Sequence, residues 1–426
     1  PPHEKMLHLR VKNPKKRLKW KLLDADSPGS TPSLVVSPAD AFEKFPADNQ
    51  RAMYSKFSLL VQVLDKSGGD RVRNVGFAFC ETMSKKDGLT LRAHLDVLDH
   101  IQTALQTATT LFLRKLRNFN FMSVAPMFAL QELLASGPAA LGELARKIFL
   151  GGPGSAVGVS ESAVEDWLQR EACNSLVQQC NGMQRRALAL HGCVQAGPVL
   201  VQGPPGTGKS FLIANGILPW SVQQNERVLV LCNSNCALDS ILEKVLDIGD
   251  QQPAAFIKPR VRRLGYRQKV SQRVRQANIF REALPEAMDE LQAGEVRVLF
   301  TTLYNASGQT DAAFCEAFDT LVVDEAAQIE DSKIFIVLAR LRSLKKVVFV
   351  GDHKQLQPYV SEGVRRQGFG LSTMERLMVS AERAPPPGTV SHVMLEVQHR
   401  MPAAVRQFVS QLFYGGRLQD GPNVAG

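Results

Sequence analysis

Val199 to Ser210 reads VLVQGPPGTGKS. Val199, Leu200 and Val201 form a short apolar run of the kind that becomes a buried strand. Gly203, Pro204, Pro205, Gly206, Thr207, Gly208, Lys209 and Ser210 then fit a glycine, four residues, Gly-Lys-Ser, the spacing of a phosphate-binding loop. The two prolines stiffen the loop, and Gly206 and Gly208 let the backbone turn its N–H groups inward. Those donors and the positive end of the following helix make a cradle for β- and γ-phosphates. Lys209 is placed to neutralise phosphate oxygens, and Ser210 to offer a hydroxyl to Mg²⁺.

Working outward, short apolar runs alternate with helical patterns from about residue 176. The runs at 198–202, 227–232, 297–301, 320–324 and 346–351 predict a parallel sheet with helices on both faces. Ligands of such sheets bind at the carboxyl ends of strands, and the motifs with chemistry lie just after these runs. Leu321 to Gln328 (LVVDEAAQ) delivers two acids at a strand end. Asp324 is placed to hold Mg²⁺, and Glu325 to orient or deprotonate an attacking water. Val347 to Pro358 (VVFVGDHKQLQP) is a strand, a Gly-Asp turn and then Gln355, where it can sense the γ-phosphate and couple phosphate state to movement. The predicted fold class is therefore an α/β P-loop NTPase preceded by a mixed α+β accessory region.

GPPGTGKS, DEAAQ, GDHKQLQP and the later VQHRMP (397–402) together resemble the superfamily 1 helicases, and most of all the senataxin and regulator-of-nonsense-transcripts branch. The resemblance runs from about Asn181 to Val424. It implies two RecA-like domains with ATP between them and single-stranded RNA or DNA, with no membrane, as partner, and movement that is typically 5′ to 3′. Residue by residue, it makes Gln184 the reader of the adenine edge and assigns Ser234 and Asn235 to a backbone-contacting motif. Arg263, Thr301 and Thr302 fall in later strand-contacting motifs. His399 stands where the family usually has a base-stacking tyrosine, and Arg400 is the arginine that reaches across the cleft to the γ-phosphate. Two other readings share parts of the pattern: an ATP-dependent RNA clamp that does not unwind, and an AAA-type remodelling ATPase.

The 426 residues carry a formal charge of +10, which favours polyanionic partners. Residues 1–21 hold eight Lys/Arg against one acid, and Lys258 to Arg275 hold eight against none. The second run is assigned to the nucleic-acid channel or its rim, with Tyr266 its one evident stacking residue. Seven cysteines without a CxxC pair speak for free thiols in a reducing compartment, and an intracellular site, nucleus or cytoplasm, is expected. No apolar run is long enough to span a bilayer.

The expected organisation is a basic tail and linker over 1–50, an accessory region resembling a stalk or β-barrel over 51–175, a first RecA-like domain over 176–380, and the start of a second over 390–426. Within the accessory region, 57–64 and 73–80 read as strands around a turn, 93–118 as a helix with Leu98, Ile101, Leu105, Ala108 and Phe112 on one stripe, and 124–149 as more helix. The chain reads as a fragment ending before the family's last motifs, which include a second arginine finger. An arginine finger is worth roughly 10³–10⁵ in rate. The 426-residue chain is therefore expected to bind ATP and hydrolyse it poorly; an ATPase assay finding full turnover would contradict this.

Overall fold

The computed structural model describes residues 141–151, 158–309, 311–383 and 387–424, Gly137 and, nearer the N-terminus, seven strands. Two compact units divide the chain, Pro1–Ala135 and Ser136–Gly426.

In the first unit the strands are β1 (Met6–Arg10), β2 (Lys19–Leu23), β3 (Ser33–Ser37), β4 (Phe57–Asp65), β5 (Arg71–Ser84), β6 (Gly88–Arg92) and β7 (Ala108–Lys115). They form an antiparallel sheet in the order β1-β7-β4-β5-β6-β3-β2. The hairpin expected from 57–64 and 73–80 is β4 paired with β5. Two expectations are corrected. Ala108–Lys115, assigned to a helix, is a strand between β1 and β4. Its Thr109, Thr110 and Phe112 favour a pleated surface, and two neighbouring strands supply the backbone partners that a helix would find internally. Residues 93–107 and 116–118 of that stretch lie outside the described residues. The basic tail and linker also contribute β1, β2 and β3 to this sheet, so 1–50 is not simply a tail. Lys19 and Lys21 lie in β2, whereas Lys15, Lys16 and Arg17 lie outside the described residues, as does 124–136 of the further helix.

The second unit contains β8 (Val159–Ser160), β9 (Gly197–Gln202), β10 (Val228–Cys232), β11 (Val261–Leu264), β12 (Phe280–Arg281), β13 (Val298–Thr302), β14 (Thr320–Val323), β15 (Lys346–Gly351), β16 (Thr389–Val390), β17 (Val393–Met394), β18 (Val397–Gln398) and β19 (Gln419–Asp420). Among the described residues, eight form one sheet in the order β12-β11-β13-β10-β14-β15-β9-β17, and every pairing in it is parallel. β9, β10, β13, β14 and β15 are buried along their whole length. Successive side chains alternate faces. Val199, Val201, Val228, Val230, Val348 and Val350 pack into one core with the Gly182–Cys193 and Asn235–Asp247 helices, while the intervening Leu200, Leu229, Leu231 and Phe349 are equally enclosed on the other. This RecA-like α/β architecture is the one that the alternating apolar runs predict.

At both ends, the boundaries expected for the first RecA-like domain are displaced. Trp167, on the Glu161–Arg170 helix, packs edge-to-face on Trp220 with ring centroids 4.8 Å apart. Residues before 175 thus belong to the core of the second unit. Val393–Met394, expected to open a new domain, pairs with Val201–Gln202 and is the eighth strand of the same sheet. β8 and β16 form a separate two-stranded antiparallel pair. The six described cysteines are free thiols, and no helix among the described residues is long and apolar enough to cross a membrane.

The helix that leaves the phosphate loop is not regular. After Lys209–Phe211, residues Leu212–Ile217 widen to a π-helix before Leu218–Gln223 resumes α geometry. Pro219 has no N–H to give to the Asn215 carbonyl four residues back. The Gln179 side-chain amide donates to that carbonyl instead, at 2.6 Å. Gln179→Ala is expected to cost about 1–3 kcal/mol, read as a lower denaturation midpoint with an unchanged m-value.

Candidate nucleotide and nucleic-acid site

The phosphate loop follows β9 directly. The Lys209 ammonium folds back over it, donating to the Gly203 carbonyl at 2.9 Å. A side chain at 203 would meet Lys209 Cγ at 2.2 Å, so only glycine leaves room for the lysine. Gly206 has φ +74°, and a Cβ there would lie 2.6 Å from Arg400 Cβ. The contact is tight because the 398–401 turn is docked on the loop: the His399 N–H donates to the Gly206 carbonyl at 2.9 Å. Gln398 holds this turn with its own amide. Its Oε1 accepts from the backbone of Arg400 (2.8 Å) and Met401 (2.6 Å), and its Nε2 donates to the Met401 carbonyl and the Asp420 carboxylate. Arg400 thus approaches the loop from within the same unit as the loop itself, where the resemblance implies an approach across a cleft. The His399 ring is exposed, and its Nδ1 donates to Asn423 Oδ1 at 2.6 Å. Thr207 is buried, its hydroxyl donating to the Pro204 carbonyl at 2.7 Å; Pro205, Gly208 and Ser210 are half-buried.

Gln184 lies beside the loop, with its Nε2 2.9 Å from where a Gly208 side chain would begin. It has a second duty. Its Oε1 accepts from the Asn181 N–H at 3.1 Å while Asn181 Oδ1 accepts from the Gln184 N–H at 3.0 Å. This reciprocal cap begins the Gly182–Cys193 helix.

β14, two strands from β9 in the sheet, ends in the acid pair. Asp324 is 4% exposed, and its Oδ1 has no hydrogen-bond partner among the described residues. Burial, reinforced by the neighbouring Glu325 charge, raises its pKa to about 7. Glu325 adopts the left-handed conformation, φ +50°, uncommon for a residue with a side chain. Its Oε1 lies 3.8 Å from Lys209 Nζ and its Oε2 accepts from Gln328 Nε2 at 3.3 Å. A buried carboxylate oxygen with no donor, opposite a lysine and a glycine cradle, fits a bound cation. No cluster of three or more His, Cys, Asp or Glu side chains suited to a metal occurs among the described residues. One carboxylate and the Ser210 hydroxyl, completed by phosphate oxygens, is the sparse donor set that Mg²⁺ uses.

Between them, β15 ends at Gly351 and Asp352. Asp352 is 2% exposed and accepts four hydrogen bonds: from Gln202 Nε2 (3.0 Å), the Lys354 N–H (3.2 Å), Gln355 Nε2 (2.7 Å) and the Tyr414 hydroxyl (2.5 Å). Burial and this carboxylate together push the Tyr414 phenol well above the usual range. One carboxylate therefore ties the end of the phosphate-loop strand to Gln355 and to the end of the Ala403–Phe413 helix. Its sequence signal, the Gly-Asp turn, gives no hint of these partners.

The residues assigned to nucleic acid divide. Ser234 is exposed at the end of β10, its hydroxyl capping the Asn235–Asp247 helix. Arg263 is fully buried and cannot present its guanidinium to a strand. Nε donates to Asp239 Oδ1 at 2.9 Å, Nη2 to Asn235 Oδ1 at 2.7 Å and Nη1 to the Leu264 carbonyl at 2.5 Å. It positions Asn235 and the capped helix. Thr301 is also buried, donating to the Leu264 carbonyl at 3.2 Å, and Thr302 caps the Leu303–Ser307 helix. The basic run divides in the same way. Lys258, Arg262, Arg263 and Arg273 are paired with acids, whereas Arg260, Arg267, Lys269 and Arg275 are exposed and make no ion pair among the described residues.

Comparison with known proteins agrees with this arrangement. One family model described as an AAA domain matches residues 179–291 and 282–362, and a second with the same description matches 369–426. The ATP-dependent helicase NAM7 of Saccharomyces cerevisiae is 29% identical over 53% of this chain and 24% of its own length. The DNA-binding protein SMUBP-2 of Rattus norvegicus is 29% identical over 53% of this chain and 26% of its own. The chain belongs to the superfamily 1 helicases. Within that superfamily its branch is that of senataxin and the regulator of nonsense transcripts, whose homologue in Neurospora crassa is 28% identical over 53% of this chain and 22% of its own length. The chain spans about a quarter of the length of these relatives.

Three outcomes test this arrangement. An acid whose pKa rises on folding makes the folded state hold the proton longer than the unfolded chain does. Without magnesium, the stability that Asp324 contributes is full below about pH 4 and declines as pH rises towards its folded value; Asp324→Asn should flatten that decline in thermal melts across the range. Asp239→Ala strands the Arg263 charge and should cost about 3–5 kcal/mol in denaturant unfolding. Tyr414→Phe should cost about 1.5–3 kcal/mol by the same measurement, because it withdraws a donor from a charged acceptor.

Proposed function

We propose that this chain forms the ATP-binding part of an enzyme that uses ATP hydrolysis, with Mg²⁺, to move along or unwind single-stranded RNA or DNA. We further infer 5′ to 3′ movement, on the family resemblance, and an intracellular site, on the cysteine pattern. The observation that carries the reading is the convergence of Lys209, Asp324, Glu325 and Asp352 with its Gln355 at the carboxyl ends of the adjacent strands β9, β15 and β14.

The chain's own groups divide the work. The loop backbone and Lys209 hold the β- and γ-phosphates. Ser210 and Asp324 would hold Mg²⁺, which neutralises charge on the transferring phosphoryl group. Glu325, now 3.8 Å from the lysine, takes the water's proton or orients it for in-line attack. Gln355, held by Asp352 at 2.7 Å, would turn to the γ-phosphate as the sensor of phosphate state, and Arg400 would join it from the docked turn. Gln184 and His399 flank the loop where a purine would lie. A strand crosses the carboxyl edge at Ser234, Asn235 and the unpaired cations, held chiefly through phosphates and therefore sensitive to salt.

The test is ATP turnover by the protein, with and without poly-ribo and poly-deoxyribo strands. Turnover should rise with a strand, and Lys209→Ala should lower it on the order of 10²–10³-fold. Equal turnover with and without strands would overturn the nucleic-acid part of the reading.

A further inference from the structure

The turn that follows β19 is built around the ring of His399. Val397 pairs with Gln419 and Gln398 with Asp420, and the Gly421 N–H then donates to the Gln398 carbonyl at 2.8 Å. The Val424 N–H closes the turn on the Gly421 carbonyl at 3.0 Å. A Cβ on Gly421 would lie 2.2 Å from His399 Nδ1 and 2.3 Å from its Cε1. The imidazole therefore occupies the space that a side chain at 421 would need. Asn423 grips the same residue twice. Its Oδ1 is 2.6 Å from His399 Nδ1, and its Nδ2 donates to the His399 carbonyl at 3.4 Å. The second bond orients the first. With the amide nitrogen turned to a carbonyl, the amide oxygen faces the ring, and an amide oxygen only accepts. Nδ1 must then carry the ring proton, which leaves Nε2 of a neutral imidazole as an acceptor. Nε2 makes no hydrogen bond among the described residues. The seat is firmly held, because Gln398 and Arg406 both donate to Asp420 next to Gly421. It is also fixed to the phosphate loop by the His399 N–H on the Gly206 carbonyl.

We propose that Asn423 is a positioning residue for nucleotide binding: on the Gly421 seat it holds His399 in the tautomer whose free Nε2 accepts a hydrogen bond from the nucleoside half of the bound nucleotide. This rests on the reading of the nucleotide site given above. It deepens that reading by specifying a contact at the edge of the ring, and by giving a role to Asn423 and Gly421, which no sequence motif singles out. An acceptor needs an N–H or O–H partner. On ATP these are the ribose hydroxyls and the 6-amino group; the triphosphate offers none there.

The 426-residue chain, with magnesium, is titrated calorimetrically with ATP, inorganic tripolyphosphate, 2′,3′-dideoxy-ATP and purine riboside triphosphate, which lacks the 6-amino group. Asn423→Ala should weaken ATP binding about 2- to 12-fold and leave tripolyphosphate binding as it is. Gly421→Ala, which fills the seat, should do the same. In wild type, ATP should bind more tightly than one of the two analogues, and Asn423→Ala should erase that advantage; the analogue concerned identifies the donor. Nitrogen-15 spectra of the ring-labelled chain at about pH 8 should place the His399 proton on Nδ1, and on both nitrogens in exchange once Asn423 is alanine; His399→Ala identifies the signal. Melting temperatures should stay close to wild type, since Asn423 and His399 are both exposed. A proton on Nε2 in wild type, or Asn423→Ala binding ATP as wild type does or weakening ATP and tripolyphosphate equally, would overturn the positioning role and leave the nucleotide site standing. A wild-type chain that binds neither ATP nor tripolyphosphate would overturn the nucleotide site and the proposal with it.

Discussion

All eight strands of the larger sheet run the same way, and that constraint governs everything else. A parallel sheet places every strand's carboxyl end on one edge. The phosphate loop, the acid turn and the Gln355 turn are far apart in sequence, at 203–210, 324–328 and 351–355. They meet because β9, β15 and β14 are consecutive in the sheet and in register, with Val199 opposite Val348 and Val348 opposite Val322. A one-residue slip would turn each valine to the other face and carry these turns with it. The apolar runs that fill both cores therefore also set the positions of the charges.

The charges themselves are arranged in tension. Asp324 is enclosed beside a second acid, with one oxygen unsatisfied. Left so, it costs stability; a cation at that oxygen would relieve the cost. Asp352, equally enclosed, shows the opposite case. Its four donors satisfy it completely, and it serves as a fixed post to which three segments are tied. The sheet edge thus holds one carboxylate with an open oxygen and another fully tied down.

The runs that were legible in the sequence are those whose residues have one meaning. Each of the five apolar segments predicted as strands is a strand. β11 was hidden because VRRL looks like part of a cationic surface, and only the fold supplies the acids that bury Arg263 and pair Arg262. Ala108–Lys115 is ambiguous in sequence because three consecutive apolar residues, Leu111 to Leu113, satisfy helical and extended patterns alike. The two residues of β17 carry too little pattern to say which sheet they join. At the site, the loop and the acids are written locally, as spacing. The ties from Asp352 to Gln202 and Tyr414, from Gln398 to Asp420 and from Arg263 to Asp239 and Asn235 join residues far apart in sequence, and no local spacing encodes them.

The tie between the 398–401 turn and the phosphate loop runs from the His399 amide to the Gly206 carbonyl. Both atoms are main chain. Residue 399 can therefore exchange one side chain for another without loosening the joint, so the ring above the loop is a variable and the main-chain clasp beneath it a constant.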